Sequence, residues 1–165
     1  WSCASNWRPH KRLNENIRYF LEFAPKNAVF VIAGSVSHEE LKSVPKNDRL
    51  FFLGDLDYLS LLSLYRRSST FVHLAYLDHC PNVVVDAQAA GCDIVCSSTG
   101  GTKEIVRSGK IINEKSWDFE PLRLYCPPKM DFENVTEVFS HQCEDMKDDI
   151  VKCSEKYYNV FKGVL

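Results

Sequence analysis

The chain has 165 residues, of which 45% are hydrophobic and 25% charged, with a formal net charge of −2. This length predicts a single domain with a real core, and Lys and Arg dispersed among nearly as many acids exclude a basic nucleic-acid surface. No apolar run reaches the roughly 20 residues of a membrane-spanning helix. No signal peptide is expected, and because the chain opens on Trp1 rather than Met, further upstream sequence is expected. The seven cysteines lack zinc-site spacing. They read as reduced, mostly packed thiols of a cytoplasmic protein.

Trp1 to Ser5 reads as the tail of a first strand. Asn6 to Arg12 is a polar loop carrying Arg8, His10, Lys11 and Arg12. Leu13, Ile17, Phe20, Leu21 and Ala24 recur with a helical period, and Pro25 stops that helix. Ala28 to Ala33 is a continuous apolar run before Gly34, as in a strand buried on both faces. His38 to Ser43 predicts a short helix. Leu50 to Leu53 predicts a strand ending at Gly54-Asp55, and Asp57 to Arg67 a helix with Tyr58, Leu61, Leu62 and Tyr65 on one face.

The stretch from Phe71 to Gly101 organises the rest. It reads as a strand (Phe71 to Leu74), a polar loop (Tyr76 to Asn82), a helix, an apolar strand (Asp93 to Cys96) and a turn at Gly100-Gly101. Three consecutive valines, Val83 to Val85, favour a strand. Ala87 to Ala90 and the following Gly91 favour a helix that ends there, and the helix reading is preferred. Asn82 is expected to cap it. Lys103 to Ser108 predicts a short helix, and residues 109–121 give no clear pattern. Leu122 to Tyr125 predicts a last strand. Asp131 would cap a helix running to about Cys143, with Phe132, Val135, Val138 and Phe139 inward, and Met146, Ile150, Cys153, Tyr157 and Phe161 mark a final helix.

Strands alternating with helices predict an α/β fold: a doubly wound, Rossmann-like parallel sheet, helices on both faces, C-terminal helices packed across it. The doubly wound order places the first and fourth strands side by side at the point where ligands bind. The Arg8–Lys11 loop would then face the Tyr76–Asn82 loop. Cations and free helix amides suit a diphosphate, and acids suit sugar or ribose hydroxyls. This placement predicts a nucleotide-diphosphate ligand without naming a reaction. There is no G-x-G-x-x-G and no Walker A sequence, which removes the main support for dinucleotide and P-loop readings. Adjacent His79 and Cys80 invite a nucleophile reading, but neighbouring residues rarely aim at each other and no third orienting group is evident. His73 reads as a packed strand histidine near enough to the strand end to leave ligand contact open.

The string from Cys80 to Val95, followed by Gly100-Gly101-Thr102-Lys103-Glu104-Ile105-Val106, resembles the C-terminal domain of group 1 glycosyltransferases, retaining enzymes of the two-domain GT-B fold. Asp78 and Asp86, seven intervening residues apart, take that family's two Glu positions; Lys11-Arg12-Leu13 resembles its Lys before the first helix, and Leu50 to Gly54 its strand before the base loop. The resemblance covers about residues 3–125 and implies roles. Lys11 would hold the donor diphosphate, with Arg8 assisting and the Asn82 and Val83 amides on the phosphates. Asp86 would bind the ribose, Asp78 the donor sugar, and the loop after Gly54 would border the base, with Gly100 and Gly101 completing the site. Asp for Glu shortens the reach by one methylene.

The resemblance implies transfer of a sugar from a nucleotide-diphosphate sugar, UDP- or GDP-linked, to an acceptor hydroxyl with retention. It implies neither metal nor cofactor. The whole chain, 1–165, would be one donor-binding domain whose N-terminal acceptor domain is absent, inactive by itself, with any membrane association lying in the absent part. A GT-B nucleotide-sugar epimerase and a non-catalytic nucleotide-binding or interaction module are the alternatives.

Overall fold

The computed structural model describes residues 1–114 and 126–139. A first strand, β1 (Ser2–Ala4), leads through a single 3-10 turn at Pro9–Lys11 into α1 (Leu13–Phe23). There follow β2 (Phe30–Ala33), α2 (His38–Ser43), β3 (Leu50–Gly54), α3 (Tyr58–Arg66), β4 (Thr70–His73) and α4 (Asn82–Ala89). The described chain finishes with β5 (Asp93–Ser97), α5 (Thr102–Ile105), β6 (Gly109–Ile112) and β7 (Val135–Val138).

The described strands join one sheet in the order β3-β2-β1-β4-β5-β6-β7. Pairings from β3 to β6 are parallel, and β7 runs antiparallel to β6. The doubly wound α/β expectation is thus met, and β1 and β4 are neighbours. One face of the sheet packs Ile32, Val72 and Val95 against Ile17 and Phe20 of α1; Met130 and Phe132 join this layer. The other face packs Phe71, Ile94 and Cys96 against Tyr65 of α3 and Val84 and Ala87 of α4. Helices therefore lie on both faces.

Local signals explain most boundaries. Asp57 caps α3 by accepting the Ser60 amide at 3.0 Å. Ser37 and Glu40 form a reciprocal capping box at α2. Three valines do sit in α4, because Val84 and Ala87 fall on its buried face. The strands are not all buried on both faces, however. The edge strand β3 leaves Phe51 and Leu53 about half exposed, at 48% and 50%.

The expected helix from Asp131 is overturned. Asp131 Oδ1 accepts the Glu133 amide at 2.8 Å in a local turn, and Val135–Val138 pairs with β6 instead. The helical spacing is real but is used differently. Phe132 packs edge-on against Tyr19 of α1, with the Arg18 guanidinium over its ring, while the β-branched Val135, Thr136 and Val138 suit a strand that covers the open edge of β6. The sixth strand comes from the stretch without a clear pattern, at Gly109–Ile112. The predicted strand at Leu122–Tyr125 and the final helix from Met146 to Phe161 lie outside the described residues, as do the expected C-terminal helices packed across the sheet. Cys3, Cys92 and Cys96 are buried and Cys80 and Cys126 exposed, all with free thiols. Among the described residues no helix is long and apolar enough to cross a membrane.

Candidate nucleotide site

The parallel sheet brings the C-terminal ends of β1 and β4 together, and two loops leave from there. They are joined through the backbone, the Tyr76 amide donating to the His10 carbonyl at 2.7 Å. They are joined again through side chains: the Lys11 ammonium forms an ion pair with Asp78 Oδ2. The confrontation of a cationic and an acidic loop is thus realised by one specific pair. His73, the last residue of β4, reaches the same oxygen, its Nε2 lying 2.9 Å from Asp78 Oδ2.

Asn16 underlies both loops. Its side chain is buried on the inner face of α1, where the helical stripe would place an apolar residue. Its Nδ2 donates to the carbonyls of Lys11 and Arg12 at 3.0 and 2.7 Å, and its Oδ1 accepts the Leu74 amide at 3.1 Å. One amide therefore clasps the start of α1 to the end of β4. Sequence reasoning passed over it; the available signal was a polar residue between Leu13 and Ile17 on a buried face.

Arg12 reads with Lys11 and Arg8 as part of one cationic loop, but its side chain is buried and pairs with Glu114 rather than with Asp78. Its guanidinium makes a two-pronged pair with Glu114, both contacts 2.8 Å, and donates to the Pro128 carbonyl at 2.8 Å. Ser97 donates to the same carboxylate, and the Tyr76 ring lies under the guanidinium. Arg12 is a structural cation. Arg8 is exposed and lines a cleft with Glu15, Glu40 and Lys129.

The predicted cap at Asn82 is corrected. Pro81 occupies the cap position, Asn82 is the first helical residue, and no side chain caps the helix. The fixed φ of proline, here −73°, suits that position, and the first amides of α4, at Asn82 and Val83, are left for solvent or ligand. Asp86 is half-buried one turn further on. Gly54 lies at the end of β3, across β2 and β1 from the ion pair, and its carbonyl accepts the Gly34 amide at 2.7 Å. Gly100 and Gly101 form the floor of the acidic loop. The Gly101 amide donates to the Asp78 carbonyl at 2.9 Å, and Thr102 Oγ1 donates to it at 3.3 Å. His79 and Cys80 are both exposed, and His79 Nδ1 lies 3.1 Å from the Leu77 carbonyl; no hydrogen bond joins it to the Cys80 thiol among the described residues.

Burial pushes the Asp78 carboxyl up, but hydrogen bonds from His73 and Lys11 outweigh it and hold the group well below the usual carboxylate range. Burial pushes His73 down, against the hydrogen bond and charge of Asp78. At neutral pH Asp78 is therefore ionised, and a neutral His73 donates its Nε2–H. The signs fix a pH dependence. A histidine depressed in the fold leaves stability intact above its ordinary value of about 6.5 and erodes it as pH falls below, because the unfolded chain takes the proton first. A depressed Asp78 adds a further loss once pH falls below about 4, the ordinary carboxylate value. Urea unfolding between pH 7 and pH 5 should show declining stability, and His73→Gln should flatten that decline. An unchanged slope in the variant would place the titrating group elsewhere.

One ammonium and free helix amides suit an anion, and the neighbouring carboxylates suit hydroxyls. Comparisons with known proteins bear on the family and the fold. Among curated proteins no sequence match is found. The solved structure of Anabaena Alr3699/HepE in complex with UDP-glucose superposes with a TM-score of 0.60 at 18% identity, covering 69% of this chain and 34% of that one. AviGT4, a glycosyltransferase involved in avilamycin A biosynthesis, superposes at 0.57 with 17% identity, covering 68% and 37%. The catalytic domain of starch synthase IV from Arabidopsis thaliana, bound to ADP and acarbose, gives 0.56 and 16%, covering 68% and 27%. These likenesses show a shared fold, and the chain spans about a third of the length of each such structure. The family model of glycosyl transferases group 1 matches residues 3–119. With that match laid over the β1–β4 junction and both site loops, this chain belongs to the group 1 glycosyltransferases.

Proposed function

We propose that this chain is the donor-binding half of a retaining two-domain glycosyltransferase, which takes a sugar from a UDP- or GDP-sugar and passes it to an acceptor hydroxyl. The observation that carries the reading is the Lys11–Asp78 pair at the β1–β4 junction, beside the uncapped start of α4. Lys11 holds the diphosphate, assisted by Arg8 and by the Asn82 and Val83 amides. Asp86 accepts hydrogen bonds from the ribose, Asp78 contacts the donor sugar, and the loop after Gly54 borders the base. As the bond to the sugar breaks, negative charge grows on the leaving diphosphate. A fixed ammonium and fixed amides stabilise that charge more in the transition state than before it.

The acceptor site belongs to a second domain, so the isolated chain binds donor and at most hydrolyses it slowly. Holding two reactants in attack geometry is worth roughly 7–11 kcal/mol, and half a cleft lacks it. Calorimetry with UDP, GDP and the corresponding nucleosides tests the site. Lys11→Ala should weaken the diphosphates by about 10- to 100-fold, the scale of one charge-assisted contact, and leave the nucleosides nearly unchanged. Asp86→Ala should weaken both. Equal ligand profiles for the two variants would refute the assigned roles. Absence of binding to every nucleotide would favour an interaction module, and efficient sugar transfer by the isolated chain would refute the half-site reading.

A further inference from the structure

The carboxylate of Asp78 serves two partners at one atom. Lys11 Nζ and His73 Nε2 both bond Oδ2, and His73 is 5% exposed, with its ring stacked on Phe71 at a centroid distance of 6.3 Å. If Lys11 is to meet a diphosphate, it must leave or share this carboxylate. We propose that His73 is the positioning residue for Asp78 during nucleotide binding: when a nucleoside diphosphate draws Lys11 away, His73 retains the carboxylate and takes up one proton. The proposal rests on the donor-site reading above and adds a residue and a proton to it.

The charge balance gives the direction. Without nucleotide, the Lys11 ammonium neutralises Asp78, and a neutral imidazole suffices. A bound diphosphate brings more negative charge than Lys11 can offset, so the same buried ring then faces net negative charge. Its second nitrogen, Nδ1, accepts a proton from solvent, and the resulting imidazolium keeps its Nε2–H on Asp78. No bond other than N–H forms, and no electron moves. The position of the ring at the very end of β4 makes this geometric, because the strand and the stacked Phe71 hold Nε2 where the following loop presents Asp78.

The other groups around the ring do not supply the proton site. Cys96, opposite His73 in the β4–β5 register, has its thiol pushed up to about 12 by burial. Asp86 of α4 acts on Tyr65, and Lys103 of α5 acts on Cys96. Arg12 is engaged by Glu114. His10, in the turn beside Lys11, is also depressed, by burial and then by Lys11, and His79 follows Asp78 in the acidic loop; among the described residues these two histidines compete. Each therefore needs its own variant.

UDP binding to the full chain, measured by calorimetry at pH 7 in buffers of different ionisation heat, reads the protons taken up directly. Wild type should take up a substantial fraction of one proton more than His73→Gln, a difference that cancels the titration of UDP itself. His10→Gln and His79→Gln should each retain the uptake. The uptake should fade at pH 9, where the ring stays neutral in both states. The His73 ring nitrogen shifts of the wild-type protein provide a second readout that needs no variant, and they should move to imidazolium values on saturation with UDP. Binding with equal proton uptake in wild type and His73→Gln, or a ring that stays neutral at saturation, overturns the proposal while the donor site stands. Failure of UDP and GDP to bind at all overturns the donor-site reading and this proposal with it.

Discussion

Arg12→Met should lower the stability of this domain by about 3–5 kcal/mol, the cost of leaving one partner of a buried ion pair without the other. For a domain of this size that corresponds to a fall in Tm of roughly 10 °C. The Arg12 and Glu114 side chains are only 2% and 8% exposed, and the pair is two-pronged. Without the guanidinium, the Glu114 carboxylate keeps, among the described residues, only the hydroxyl of Ser97 and a long contact to Thr99. The Pro128 carbonyl also loses its donor. The pair therefore ties α1 to the segments after β5 and β6. Combining Arg12→Met with Glu114→Leu should be less damaging than either change alone, because the second substitution removes the stranded charge. Thermal unfolding of the two singles and the double checks this, and additive losses would mean that the two side chains do not depend on each other.

Gly100→Ala should strike the site itself. Gly100 has a φ of +76°, and a Cβ there would lie 2.3 Å from the Asp78 carbonyl oxygen and 2.9 Å from the Asp78 amide nitrogen. The left-handed backbone costs a non-glycine residue about 1–2 kcal/mol, and forcing the loop away adds about 1–3 kcal/mol of overpacking. The displaced element is the loop that presents Asp78 to Lys11 and His73. UDP binding should therefore fall by at least tenfold even at temperatures where the variant remains folded. Gly91→Ala is the matched control: its φ is +98°, and a Cβ there meets nothing within 4 Å. It should show the backbone strain alone, with UDP binding retained. Equal behaviour of the two variants would mean that the close approach to Asp78 has no part in shaping the site.

Much of the α/β frame was legible because local signals and burial agree. Pro25, Asp57 and Gly91 mark helix ends where the chain does turn, and the apolar runs at Phe30–Ala33 and Asp93–Ser97 are central strands. Alternation and crossover handedness narrowed the topologies to a few, and the doubly wound order among them is the one observed. The helix predicted from Asp131 failed for a physical reason that no window of sequence contains. Whether Val135 to Val138 becomes helix or strand depends on an open edge at β6, and β6 lies in a stretch whose pattern is too irregular to read.

The site divides along the same line. The sequence by itself determined that a cationic loop and an acidic loop would leave neighbouring strands, since this depends only on element order and the types of Lys11 and Asp78. Only the tertiary structure decided how three similar cations are used. Arg12 turns inward because Glu114, about a hundred residues away in the chain, offers a buried carboxylate matched to its planar fork, while Lys11 stays at the rim as a point charge on Asp78. It likewise decided that His73 and Asn16, one read as packed and the other passed over, are the side chains that hold the two loops. Polar groups in a core acquire their meaning from partners brought by folding, and those partners are distant in sequence.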